Sequence, residues 1–170
     1  MRRLILLRHG ESALNPGGTD AERTLTANGR EQAAAVGRYL KDQQLLPDLA
    51  LVSSSARTRE TFELVQGALG PIESRVESDI YNAPPERLQA LVEAAEAEVR
   101  ALLLVGHNPG VEELAKALAG SGDRYALSRM RQRFAPAAFA VIDFPVEDWA
   151  TLVVGEGRLD RFVEPDALSG

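Results

Sequence analysis

Leu4-Ile5-Leu6-Leu7 is an unbroken apolar run closed by Arg8-His9-Gly10. A run without polar alternation predicts a strand buried on both faces, as in a parallel sheet. Residues 48–52, 71–76 and 101–105 predict three more strands. Between them apolar residues recur every three or four positions, which predicts amphipathic helices. Ala33, Val36 and Leu40 form one stripe within about 29–41. Phe62, Val65 and Leu69 form a second, after Ser53-Ser54-Ser55, whose hydroxyls suit an N-cap. Leu88, Leu91, Val92 and Ala95 follow Pro84-Pro85, and proline fits a first helical turn. Val111, Leu114, Ala115 and Leu118 follow Asn108-Pro109, read as an N-cap and a first-turn proline.

Strand and helix thus alternate four times, the pattern of βαβ units around a mostly parallel sheet. Asn15 to Thr24, with Pro16-Gly17-Gly18, is a loop. Gly120-Ser121-Gly122 reads as a helix stop. Beyond it, 137–144 and 150–154 predict two strands joined through Pro145 and Asp148, an antiparallel hairpin added at a sheet edge. The expected architecture is α/β: one three-layer α/β/α domain over residues 1–164, with a mostly parallel sheet of about six strands and an antiparallel edge. Residues 165–170 are expected to be a loose tail.

Composition narrows the chemistry. A chain of 170 residues is long enough for one full core. Its net charge of −6 argues against a general nucleic-acid or anionic-membrane surface. Cysteine is absent, which removes disulfides, thiolate nucleophiles and cysteine-based metal sites. The opening apolar run is too short for a secretion signal, and no stretch approaches membrane-spanning length. A cytoplasmic protein is expected.

Only two histidines occur, His9 and His107, and each follows a predicted strand. In an open α/β sheet, ligands bind beyond the carboxyl ends of the strands. Arg8 adjoins His9, and Arg57 falls on the first turn of the helix after the second strand. Helix N-termini favour anions, and arginine's fork matches a phosphate. Together these residues predict a cationic cup for a tetrahedral dianion. Two histidines and a carboxylate are also a metal-binding set. The flanking arginines would repel a cation, so neither metal nor cofactor is expected. Arg59 reads as a solvated helix residue, and Arg23 as a surface loop charge, with reach to the phosphate as its alternative. Arg124, Arg129, Arg131 and Arg133, within 124–133, read as a solvated basic face, with a docking patch for an acidic phosphoprotein as the sharper alternative.

The same residues carry a family resemblance. Arg8-His9-Gly10-Glu11-Ser12 with Asn15 is similar to the "RHG" signature of the histidine phosphatase superfamily, which includes phosphoglycerate mutases and acid phosphatases. Leu25-Thr26-Ala27-Asn28-Gly29-Arg30-Glu31-Gln32-Ala33, Ser53 to Thr61 and Val105-Gly106-His107-Asn108 resemble three further segments of that family, in family order. The resemblance implies a phosphoglycerate mutase-like fold and His9 as the nucleophile that takes the phosphoryl group. It implies Arg8, Arg57 and His107 as phosphate ligands and stabilisers of transition-state charge, and Asn15 as a peripheral phosphate contact.

One departure changes the expected chemistry. Many relatives carry a glutamate general acid after the third strand, where this chain has Ile80-Tyr81-Asn82. An asparagine side chain cannot act as a carboxylic acid. Glu11, Glu77 and Asp79 are the alternative donors nearby in sequence. The chain also lacks room for the insertions that enclose small substrates in the mutases, and its layout resembles the small SixA-type phosphohistidine phosphatases. The expected activity is a metal-independent phosphohydrolase acting on phosphohistidine in a protein. The alternatives are a small-molecule phosphomonoesterase and a non-catalytic phospho-binding module.

Overall fold

The computed structural model describes residues 1–168, in which seven strands and five helices follow one another. They are β1 (Arg2–Arg8), α1 (Ala27–Asp42), β2 (Leu49–Ser53), α2 (Ala56–Leu69), β3 (Ser74–Glu77), α3 (Pro85–Glu93), β4 (Ala101–Gly106), α4 (Gly110–Leu118), β5 (Ala119–Gly122), α5 (Arg124–Gln132), β6 (Phe139–Phe144) and β7 (Gly157–Val163). All seven strands form one sheet in the order β3-β2-β4-β1-β6-β7-β5. The first four are mutually parallel, β6 runs antiparallel to both β1 and β7, and β5 pairs parallel with β7.

The unbroken apolar runs of β1, β2 and β4 have the cause inferred from sequence, since both sheet faces are covered. Successive strand residues point to opposite faces. Ile5, Leu7, Ala50, Val52, Leu103 and Val105 pack with Val36, Leu40, Phe62 and Val65 of α1 and α2. Leu4, Leu6, Leu49, Leu51, Leu102 and Leu104 pack on the other face with the stripes of α3, α4 and α5. Thr26 caps α1 and Ser55 caps α2, each accepting a backbone N–H from three residues ahead. Helix α4 begins at Gly110, so Pro109 rather than Asn108 is its N-cap residue.

The C-terminal half differs from expectation. The antiparallel strand β6 lies inside the sheet beside β1, not at an edge. Its hairpin partner is β7, and residues 150–154 are not a strand. Trp149–Thr151 forms a 3-10 turn that buries the indole, whose N–H donates to the Val99 carbonyl at 2.7 Å. Three charged residues, Arg158, Asp160 and Arg161, masked β7 as a strand. Asp160 and Arg161 pair with each other, and Asp160 also faces Arg3. Helix α4 stops at Leu118, and Ala119–Gly122 continues as the edge strand β5. A side chain at Gly120 would collide with the Gly155 carbonyl. The basic stretch 124–133 forms α5, and buries Ala126, Leu127 and Met130.

Residues 165–167 form a 3-10 turn with Pro165 buried, and Leu168 packs against the core on the α1 side. Residues 169 and 170, the end of the expected tail, lie outside the described residues. No helix among the described residues is long and apolar enough to cross a membrane.

Two glycines bring the β1–α1 loop against the start of α1. A Cβ on Gly10 would lie 2.7 Å from the Gly29 carbonyl, and one on Gly29 would strike the Glu11 backbone. Gly29→Ala is therefore expected to cost about 1–3 kcal/mol of stability, the usual cost of overpacking. A thermal melt measures the loss, and turnover should fall with it because the displaced backbone carries His9.

Candidate active site

Three adjacent parallel strands end at one level. Leu7, Val105 and Val52 share a row across β1, β4 and β2, and Arg8 and Gly106 share the next. One step further, His9 leaves β1 with its N–H on the Gly106 carbonyl at 3.1 Å, and His107 leaves β4. The two imidazoles meet edge to face with centroids 5.4 Å apart. Arg57, on the first turn of α2, reaches between them. Its Nε donates to His9 Nε2 and its Nη2 to His107 Nδ1, both at 3.3 Å. All three side chains are buried.

Their partners fix the tautomers. His9 Nδ1 lies 2.7 Å from the Gly10 carbonyl, which can only accept, so Nδ1 carries the proton. His9 Nε2 therefore presents a lone pair to Arg57. His107 Nδ1 faces a guanidinium, which can only donate, so the His107 proton is on Nε2 and goes to Ser53 Oγ at 2.7 Å. Thr61 joins the halves of the site. Its hydroxyl donates to the Arg57 carbonyl at 2.7 Å and accepts from the Gly10 N–H at 3.1 Å.

Burial pushes His9 down to about 4, and the charges of Arg57, Arg8 and Arg23 add to it against the opposing Gly10 hydrogen bond. Burial, followed by His9 and Arg57, pushes His107 down to about 3. Both rings are neutral at physiological pH, as a nucleophilic imidazole must be. The sign for stability follows. The fold favours the neutral rings, so their contribution is intact above the ordinary 6.5 and erodes as pH falls toward about 4 and then 3. NMR titration of the free protein should find the two imidazoles protonating near those values, with thermal stability declining through the same window.

Arg8 stands beside this group and adds positive potential to both histidines. Its Nη1 donates to the Phe134 carbonyl at 2.9 Å. Its Nε is buried with no acceptor among the described residues. Burial lowers the Arg8 pKa, yet a guanidinium stays charged in proteins.

Except for Asn82, the other sequence candidates stand apart from the histidines. Asn15 closes its own loop, its amide donating to the Thr19 carbonyl at 3.3 Å. The Glu11 carboxylate accepts from Thr26 Oγ1 at 2.8 Å and Asn28 Nδ2 at 3.0 Å, at the start of α1. Asp79 is exposed on a 3-10 turn and Glu77 ends β3. Among the described residues neither hydrogen-bonds to His9, Arg57 or His107. Asn82 has a φ of 51°, a region asparagine tolerates better than most residues, so its backbone accounts for its identity. It lines a cleft of about 370 Å3 with Pro84, Pro85, His107 and Pro109. Among the described residues no cluster of three or more His, Asp or Glu could hold a metal ion.

Asp20 and Tyr81 join the site without having been singled out for it in sequence, and Arg23, read there chiefly as a surface charge, joins them. Asp20 lies on a short 3-10 turn, and its Oδ2 accepts from Arg57 Nη2 at 3.0 Å and from the Tyr81 hydroxyl. The Asp20 carbonyl accepts from Arg57 Nη1 at 2.8 Å. Hydrogen bonds from Tyr81, Arg23 and Arg57 hold the Asp20 carboxyl well below the usual carboxylate range. Arg23 is no free surface charge. It donates to the Ala13 carbonyl, to Ser12 Oγ and to Asp20 Oδ1. A loop of irregular spacing carries Asp20, so no periodicity marks it, and only the folded chain brings it to Arg57. Thr61 had a local signal, four residues after Arg57 on the same helix face.

Comparisons with known proteins give the family. The model of the histidine phosphatase superfamily (branch 1) matches residues 4–101, from β1 to the start of β4. The chain belongs to that superfamily and is a phosphatase. An uncharacterised chloroplastic protein of Arabidopsis thaliana is 31% identical over 71% of this chain, which spans 60% of that relative's length. An uncharacterised protein of Mycobacterium tuberculosis is 30% identical over 94% of this chain and 99% of its own. Among solved structures, a candidate phosphohistidine phosphatase SixA from Agrobacterium tumefaciens superimposes with a TM-score of 0.83 at 32% identity, over 96% of this chain and 98% of that one. The protein histidine phosphatase SixA complexed with tungstate superimposes with a TM-score of 0.73 at 25% identity, over 98% and 99%.

Proposed function

We propose that the chain is a metal-independent phosphohydrolase that forms a covalent phosphohistidine on His9, and that its substrate is phosphohistidine in another protein. The observation that carries the mechanism is the pair of fixed tautomers around Arg57, which leaves the His9 Nε2 lone pair facing the anion cup. In the first step Nε2 attacks phosphorus in line, the bond to the leaving group breaks, and its electron pair departs with that group. Arg57 and Arg8 neutralise the phosphoryl oxygens, and such preorganised charge is the main source of acceleration in phosphoryl transfer. The arriving dianion counters the burial and the neighbouring positive charge that keep His107 neutral, so His107 Nδ1 takes up a proton from solvent and donates it in a hydrogen bond to a phosphoryl oxygen. Water then attacks phospho-His9, and the imidazole leaves neutral with its Nδ1 proton still on the Gly10 carbonyl.

Two features favour a P–N substrate. The carboxyl nearest to Arg57, Asp20, is held ionised and so has no proton to give an alkoxide. An imidazole leaving group that carries its own proton needs none. The cleft beside His107 is open, and suits a side chain presented by a protein. The likeness to SixA proteins, one of them in complex with the oxyanion tungstate, points the same way. Absence of cysteine fits the reducing cytoplasm as the proposed setting.

The test is to compare kcat/KM on a phosphohistidine-bearing protein, a phosphoserine peptide and small sugar phosphates, in the presence of chelator. The phosphohistidine protein should lead by on the order of 10²-fold or more, the lower end of what a general acid supplies to a poor leaving group. Comparable or faster turnover of a sugar phosphate would make the chain a small-molecule phosphomonoesterase. Binding without turnover of any of the three would overturn the phosphohistidine reading.

A further inference from the structure

Asp20 is an odd neighbour for an anion site. A carboxylate beside Arg57 opposes the binding of every phosphate, yet this one is anchored in place from three sides. Its Oδ2 accepts from Arg57 Nη2 and from the Tyr81 hydroxyl, and its Oδ1 accepts from Arg23 Nη1 at 3.0 Å. A carboxylate offers about four acceptor positions, so one on Oδ1 is left over. The side chain is 47% exposed. Tyr81 packs edge to face on His107 and lies under the Arg57 guanidinium, which fixes the carboxylate relative to both.

The chain of contacts sets the direction. His9 Nε2 touches Arg57 Nε, and Arg57 Nη2 touches Asp20. Arg57 thus stands between His9 Nε2 and the Asp20 carboxylate. A carboxylate facing the leaving group would repel an alkoxide and attract a cation.

We propose that Asp20 is the specificity-determining residue of this site, its carboxylate accepting a hydrogen bond from the ring N–H of a phosphorylated imidazole. The inference rests on the phosphohistidine reading above and gives that reading a residue. The bookkeeping closes without an enzyme acid. The Nε2–P bond to His9 forms and the P–N bond to the substrate breaks. The bonding pair stays on the substrate nitrogen, and the proton on the far ring nitrogen stays where it was. Before transfer the substrate ring is cationic, the better leaving form, and Asp20 favours that form. Afterwards the ring leaves as neutral imidazole.

The experiment uses the intact chain and its Asp20→Asn variant, with a phosphohistidine-bearing protein and p-nitrophenyl phosphate, whose aryl leaving group needs no proton. A charge-assisted hydrogen bond is worth about 10- to 100-fold. Asp20→Asn should therefore lower kcat/KM on phosphohistidine by about that factor more than on the aryl phosphate. The alkaline limb of the phosphohistidine pH profile should also move to lower pH, because the variant no longer stabilises the protonated ring. Equal losses on both substrates would overturn the proposal and leave Asp20 as a positioning residue for Arg57. Equal gains would overturn it too, and make Asp20 a competitor of phosphate for Arg57. Failure of the wild-type chain on phosphohistidine, with good turnover of phosphomonoesters, would instead overturn the substrate reading itself, before any variant is compared.

Discussion

Replacing His9 with alanine should lower turnover by on the order of 10⁴-fold or more, the scale at which removing a covalent nucleophile acts. His9 Nε2 offers a lone pair while its ring is locked from the far side, through Nδ1–H on the Gly10 carbonyl. His107 Nδ1 also faces Arg57 with a lone pair, its Nε2–H being tied to Ser53, but its ring lies at 60° to that of His9, and the nucleophile role goes to His9 because Arg8-His9-Gly10 resembles the superfamily's nucleophile segment. The variant should still bind vanadate or tungstate, because Arg8, Arg57 and His107 remain. Steady-state rates with a phosphorylated substrate, together with oxyanion binding, separate these effects. Near-normal turnover in His9→Ala would remove His9 from the nucleophile role.

Arg57→Lys should cost on the order of 10²–10³-fold in kcat, the effect of deleting one preorganised donor aimed at transition-state charge. The substitution keeps the charge but not the fork. Arg57 spreads three nitrogens over four partners: Nε to His9, Nη2 to both His107 and the Asp20 carboxylate, and Nη1 to the Asp20 carbonyl. A lysine ammonium is a point donor on a flexible stem and cannot hold that plane. The loss should appear mainly in kcat, since interactions made in the transition state set it. A loss confined to KM would reduce Arg57 to a simple anchor for the bound phosphate.

Legibility in the sequence followed physical periodicity. The runs 4–7, 48–52 and 101–105 read as buried strands because apolar residues cover both sheet faces, and the histidines and Arg57 could be placed from the strand ends alone. The pattern failed where packing was not apolar. Strand β7 carries three charges, two of them paired with each other in the sheet. Strand β5 is mostly glycine and serine, shaped by close backbone approach at Gly120. Residues 150–154 carry an apolar pattern, but Trp149 and Leu152 turn inward while Val153 and Val154 stay exposed. Within the site, Asn82 could be read as a missing acid, although its backbone conformation was hidden from sequence. Asp20, Tyr81 and Arg23 come from two loops and meet only in the fold, 61 positions separating Asp20 from Tyr81. Longer-range pairing of this kind leaves no local trace.

The most direct test of the covalent step is mass spectrometry of the wild-type chain, mixed with a phosphorylated substrate and quenched within milliseconds without acid, since phosphohistidine is acid-labile. A phosphate-sized mass increase located on His9, formed and lost within one turnover and absent from His9→Ala, is the predicted result. Turnover that proceeds at full rate with no adduct on His9, or with the adduct on His107, would contradict it.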